Sequence, residues 1–240
     1  MAYRAAGKTD MGLIRKENQD NCLVLAARKL YVIADGMGGH AGGRQASAIT
    51  VETLRRELDN EEALNEASIE KALAMVNAGI LEAAVCNRWE GMGTTLVLAF
   101  FAEGQWKVAH IGDSRAYVIN EREIYALTRD HSLVGELLAN GSITLEEAKV
   151  HPHRNVLTRA LGVSGDPKPE WNYTAADNGS FLLLCSDGLY NMVDKEAIQG
   201  IVVAPDLSLE EKTGRLVEEA NRLGGLDNTT VILIHEEGGL

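Results

Sequence analysis

Four aspartates in this 240-residue chain share one local setting. Asp35 follows the apolar run LYVIA and precedes Gly36. Asp187 follows FLLLCS and precedes Gly188, Asp113 follows VAHIG, and Asp227 stands just ahead of TTVILI. Each lies where an apolar strand meets a turn, a place rigid enough to aim a carboxylate into a cavity at a sheet edge. Clustered carboxylates repel one another, and burial further penalises their charge. Divalent cations resolve that conflict, and oxygen donors suit Mg²⁺ or Mn²⁺. A single Asp-Gly pair usually does no more than start a turn. Two near-identical strand-Asp-Gly units with two further strand-edge aspartates favour a metal site.

The segment DGMGGHAGG (35–43) places five glycines after a strand and before a helix, letting backbone approach a ligand closely. It nearly matches a dinucleotide fingerprint as Gly36-x-Gly38-x-x-Ala41. Asp35 would then set negative charge beside the pyrophosphate, and the surrounding elements do not alternate as βαβ. A loop arranged around a metal is the better account. His40 within it is a candidate proton donor. Arg15, in GLIRKENQD, is a cation near the terminus whose role depends on what the fold brings beside it.

The elements that must position these groups are legible in outline. Apolar runs at 22–26 and 30–34, joined at Arg28, predict a hairpin. Runs at 94–101, 106–111, 115–119 and 124–128, separated by the short turns AEGQ, GDS and NERE, predict an antiparallel meander. Late strands are expected at 181–185 and 229–235. Ile69, Leu73, Val76 and Ile80 recur at helical spacing, and 45–58 is expected to be helical. Ser208 with Glu211 and Thr144 with Glu147 are capping-box patterns, the first opening a helix that ends near Leu223 before Gly224. Residues 130–165 are expected to be short helices and loop at the rim of a sheet. The class is α+β, and no linker divides the chain, so one domain over 1–240 is expected.

A net charge of −12 disfavours nucleic acid and anionic membrane surfaces as partners. Cys22, Cys86 and Cys185 are odd in number and far apart, which argues for buried small hydrophobes and against a disulfide framework or a zinc site. There is no signal peptide or run long enough to span a bilayer, so a cytoplasmic, monomeric protein is expected.

Eight segments in order resemble the type 2C family of metal-dependent Ser/Thr protein phosphatases. They are IRKENQD (14–20), ADGMGGHAGG (34–43), GTT (93–95), HIGDSR (110–115), DH (130–131), LTRALG (157–162), CSDGL (185–189) and DNTT (227–230). The extended Gly-rich form is similar to the bacterial branch. The resemblance implies two antiparallel sheets packed as a sandwich, with helices on both outer faces. It implies hydrolysis of phosphoserine and phosphothreonine in phosphorylated protein substrates by metal-activated water, without a covalent phosphoenzyme. Asp35 would bridge two core Mn²⁺ or Mg²⁺ ions. Asp187 and Asp227 would complete one ion's protein ligands, and the Gly36 carbonyl would serve the other. Asp113, with Asp187, would hold a third, weaker ion. Arg15 would bind substrate phosphate, His40 would be the general acid, and Asp20 would hydrogen-bond water held by the ions. Residues 130–165 would form a flap beside the active site. Gln19 departs from the Glu found in some members, which bears on how tightly metal binds.

Overall fold

The computed structural model describes residues 2–163, 168–175 and 179–237; the side chains of Ala2, His40, Ala41 and Glu237 lie outside the description. Its strands form two antiparallel sheets. One sheet runs β1 (Ala2–Asp10), β11 (Thr229–Glu237), β10 (Phe181–Cys185), β7 (Arg115–Ile119) and β8 (Ile124–Ala126). The other runs β2 (Asp20–Leu25), β3 (Leu30–Met37), β5 (Leu96–Ala102), β6 (Gln105–Ile111) and β9 (Glu170–Ala175), with the short β4 (Gly93–Thr94) also paired to β3.

Their faces alternate, though the sequence does not show it. In β3, Tyr31 and Ile33, with Val97 of neighbouring β5, point at the opposite sheet, where they meet Val118, Leu184 and Ile232. Leu30, Val32 and Ala34 point the other way, against α1 (His40–Leu58) and α2 (Glu66–Asn87). Both faces are apolar because each sheet is covered twice, so the strand reads as one continuous hydrophobic run. The first sheet is covered likewise by α6 (Lys195–Val203) and α7 (Leu209–Arg222), whose Ile198, Val202, Leu216 and Val217 pack on Tyr117, Leu183 and Leu233. The result is the expected α+β sandwich with helices on both outer faces.

The expected helices form where their signals lie. Asn65 caps α2, whose Ile69, Leu73, Val76 and Ile80 are buried, and the Ser208–Glu211 box opens α7. Thr144 and Glu147 cap α4 (Leu145–Lys149), which follows α3 (Leu133–Ala139). A short α5 (Asp187–Tyr190) follows β10. No helix among the described residues is long and apolar enough to cross a membrane.

Four expectations need correction. The meander over 94–128 is split: β5 and β6 pair in one sheet, and β7 and β8 in the other. The GDS segment is therefore a crossover between sheets. Gly112 makes it possible, at φ 100° and with Thr95 so close that a Cβ would lie 2.8 Å from its Cγ2. Helix α1 begins at His40, five residues before the expected start at Gln45. Gly43 lies inside it because it packs on the backbone of Gly36, leaving no room for a Cβ. Strands β1 and β9 were not expected; both are edge strands, held by hydrogen-bond ladders to β11 and β6. Of the cysteines, Cys185 is buried, Cys22 half-buried and Cys86 exposed on α2, so only the first fits the expectation of burial.

Candidate metal centre

All five singled-out aspartates lie at one end of the sandwich. Asp20 is the first residue of β2 and stands opposite Asp35 in the β2–β3 register. Asp113 occupies the crossover from β6 to β7, Asp187 opens α5 directly after β10, and Asp227 precedes β11. Asp20 also ties the two sheets together. Its Oδ2 accepts hydrogen bonds from the hydroxyls of Ser186 at 2.7 Å and Thr230 at 2.6 Å, both from the other sheet.

This crowding shapes the electrostatics. Burial pushes the Asp35 carboxyl well above the ordinary range, and the negative charges of Asp20, Asp187, Asp113 and Asp227 push it further. Asp187 is raised by burial and then by Asp113, Asp227 and Asp20, with Arg15 opposing. Burial is the first cause at Asp113 too, raised to about 6. Asp20 is raised to about 6 by burial, against the lowering effect of its hydroxyl partners. Arg15 donates from Nη2 to Asp227 Oδ2 at 2.5 Å, and that bond holds its guanidinium more firmly charged.

Four aspartates thus surround Asp35, Arg15 bonds to one of them, Asp227, and the carboxylate donor set is entirely oxygen. Among the described residues Asp20 Oδ1 is buried and accepts from no donor, while its carboxyl lies within hydrogen-bond reach of the Asp35 carboxyl, a contact that needs a shared proton or a cation between the two. Oxygen donors of this kind suit Mg²⁺, which keeps several waters and takes only one or two carboxylates directly, and Mn²⁺, which shares its oxygen preference. The residues present therefore fit divalent ions of this kind.

The sequence motifs also supply supports that inspection of the aspartates missed. Thr95 Oγ1 accepts the Asp35 N–H at 3.0 Å and shares a 2.7 Å hydrogen bond with Ser114, next to Asp113. Thr94 donates its hydroxyl to the Asp35 carbonyl at 2.8 Å. Gly36 is packed so tightly on Gly43 and Gln19 that a Cβ would sit 2.1 Å from the Gly43 carbonyl oxygen. Gln19 donates from Nε2 to the Gly39 carbonyl at 3.2 Å and to Glu17 at 2.8 Å. A Glu at that position could not donate, so the departure at Gln19 braces the Gly-rich loop. The hydroxyl neighbours in GTT, CSDG and DNTT were the available signal for these roles.

Asp130 and His131 fasten the following segment to the centre. Asp130 takes both arms of Arg115 at 2.8 and 2.7 Å. The Arg115 guanidinium lies 3.5 Å over the ring of Tyr190, whose hydroxyl donates to the Asp113 carbonyl at 3.0 Å. His131 Nδ1 accepts the Gly112 N–H at 3.2 Å, and Leu161 exchanges backbone hydrogen bonds with Thr94. His131, stacked on His110 and near Glu170, could in principle hold a metal. Its Nδ1 lone pair is already taken, and Arg159 stands 3.1 Å from its Nε2, so the trio is a hydrogen-bonded brace. Burial and the neighbouring His110 push His131 down to about 4, keeping it neutral. His40 opens α1; its side chain lies outside the described residues.

The chain matches the Protein phosphatase 2C family over residues 15–219. It is 39% identical over 234 residues to protein phosphatase PhpP of Streptococcus pneumoniae, covering 94% of each chain. The solved serine/threonine phosphatase PstP/Ppp of Mycobacterium tuberculosis has a similar structure, with a TM-score of 0.89, 37% identity, and coverage of 99% of this chain and 100% of that one. A crystal structure of the PstP catalytic domain in complex with two manganese ions gives a TM-score of 0.86 at 36% identity, covering 97% of each chain.

Proposed function

The chain belongs to the protein phosphatase 2C family and is a metal-dependent Ser/Thr protein phosphatase, and we propose that the aspartate cluster at the end of the sandwich is its catalytic centre. The observation that carries this assignment is the gathering of four aspartates from two sheets around Asp35, with Arg15 on Asp227. Asp35, Asp187, Asp227 and the Gly36 carbonyl would hold two Mn²⁺ or Mg²⁺ ions, and Asp113 with Asp187 a third, weaker one. When bound, such ions supply Lewis acidity and bring the pKa of water toward neutrality.

The chain's own residues do the rest. Arg15, 52% exposed beyond its contact with Asp227, offers phosphate a planar fork that matches two oxygens at once, which Lys cannot do. Its charge favours the equatorial oxygens on which transition-state charge lies. Asp20, whose Oδ1 accepts from no donor among the described residues, orients water. His40 gives a proton to the departing Ser or Thr oxygen; that assignment rests on its place at the head of α1, directly after the Gly-rich loop. A covalent route has little support. The Cys185 thiol is buried and pushed up to about 12, and the Ser114 hydroxyl is buried on Thr95.

We assign one catalytic domain to 1–240, with 130–165 as a flap anchored at Asp130–His131 and Leu161. Its substrates would be phosphorylated proteins met by a monomer in the cytoplasm, in opposition to a signalling kinase and without nucleic acid or membrane. The test is phosphate release from a phosphothreonine peptide. Chelation by EDTA should abolish it and Mn²⁺ restore it, while Asp35→Asn stays inactive in Mn²⁺. Full turnover by metal-free protein, or by Asp35→Asn, would refute the assignment.

A further inference from the structure

Apolar side chains crowd the rim of this centre. Leu13 is 66% exposed, Ile14 65% and Leu226 58%, with Met11 and Leu223 half exposed beside them. Single exposed apolar residues are ordinary; a contiguous set calls for a function. These belong to two segments that the fold knits together. The N–H groups of Leu13 and Ile14 both donate to the Gly225 carbonyl, at 2.8 and 3.3 Å. The Leu13 side chain rests on Gly225, where a Cβ would meet its Cγ at 2.8 Å, and Leu226 lies 3.8 Å from the corresponding point on Gly224. Asn228 fixes the same loop by donating to the Met11 and Glu17 carbonyls. The patch is therefore preformed, so binding would not have to order it.

Its position decides what it can meet. Ile14 adjoins Arg15 and Leu226 adjoins Asp227, the pair joined across the centre. Neighbouring Cα atoms are about 3.8 Å apart, and an extended peptide advances about 3.3–3.6 Å per residue. Side chains within two residues of a phosphorylated Ser or Thr would therefore reach the patch once the phosphate lies on Arg15. With the ions bound the carboxylate charge is offset, so discrimination at those positions rests on the patch, which rewards apolar residues by taking them out of water.

We infer that Leu13, Ile14 and Leu226 form a substrate-docking surface that selects phosphoproteins with apolar residues flanking the phosphorylated Ser or Thr. This rests on the assignment of the aspartate cluster as the catalytic centre. The test uses Mn²⁺-loaded full-length protein and two phosphothreonine heptapeptides, alike except for Leu or Gly at the two positions on either side of phosphothreonine. The Leu peptide should show kcat/KM about 10-fold higher, the usual size of discrimination by apolar contacts. In a Leu13→Ser, Ile14→Ser, Leu226→Ser variant the ratio of the two should fall to about one. That ratio is taken within one protein preparation, so partial loss of folded enzyme does not alter it. Equal cleavage of both peptides by the wild type would overturn the inference without any variant. So would a ratio that survives the triple substitution. A wild-type dimer that the same substitutions dissociate, with a peptide ratio near one, would give the patch to a second copy instead. Hydrolysis of p-nitrophenyl phosphate but of neither peptide would remove the protein-substrate assignment, a result distinct from equal cleavage.

Discussion

Asp20→Asn separates what the aspartate cluster does for metal from what it does to the fold. Asp20 is 4% exposed, and its carboxyl is raised from 3.8 to about 6. A group whose folded pKa is raised binds more protons folded than unfolded between those two values. Stability without metal therefore falls as pH rises through the window from about 4 to about 6. At 1.36 kcal/mol per pH unit, the rise corresponds to about 3 kcal/mol lost by pH 7.5. Asn carries no charge, and its oxygen can still accept from Ser186 and Thr230. In EDTA, Asp20→Asn should thus be more stable than wild type by up to about 3 kcal/mol at pH 7.5, or about 6–12 °C in Tm for a chain of this size. The gain should vanish near pH 4. Mn²⁺ should reverse the trend, because changing a group that supports metal-held water typically lowers affinity about 10–100-fold. Urea denaturation across pH 4–7.5, with EDTA and with Mn²⁺, measures both effects. A variant less stable than wild type in EDTA at pH 7.5, or a gain independent of pH, would refute the electrostatic account of the cluster.

Other expected outcomes follow from single contacts. Arg15→Ala should raise KM for a phosphopeptide more than it lowers kcat, because its charge meets phosphate in ground and transition states alike; an unchanged KM returns Arg15 to the ordinary surface. Thr95→Val strips the Asp35 N–H of its acceptor and Ser114 of its partner, so it should destabilise by about 1–3 kcal/mol in urea and weaken Mn²⁺ binding in calorimetry, whereas Thr95→Ser should restore both. Asp113→Ala should leave the two tighter Mn²⁺ sites intact while turnover falls; loss of the tight sites would place Asp113 in the core. His40→Ala should slow phosphoserine peptide hydrolysis about 10²–10⁴-fold where chemistry limits the rate, yet hardly affect p-nitrophenyl phosphate, whose leaving group needs no proton. Equal losses on both substrates with metal bound would exclude it as the donor.

Local signals in the sequence sufficed for the elements with strong periodicity or caps. The α2 stripe and the boxes at Ser208 and Thr144 formed as expected because each depends on contacts within a few residues; the central strands were legible because their runs LYVIA and FLLLC are apolar throughout. The aspartates were legible for a similar reason: a carboxylate at the end of an apolar strand stands out against its neighbours. Composition and spacing did not carry the division of strands between sheets. Strand β3 is apolar on both faces, which hides its alternation, and the turn at Gly112–Ser114 is as short as a hairpin though it passes between sheets. Edge strands β1 and β9 escaped notice because ladder hydrogen bonds hold them, and those bonds leave no mark on residue type. The tertiary structure alone brought Asp20 from one sheet onto Ser186 and Thr230 of the other, set Arg15 on Asp227, and gathered Leu13, Ile14 and Leu226 at one rim. Each of these pairings joins residues far apart in sequence, so no local pattern encodes it; only the closing of two sheets against each other does.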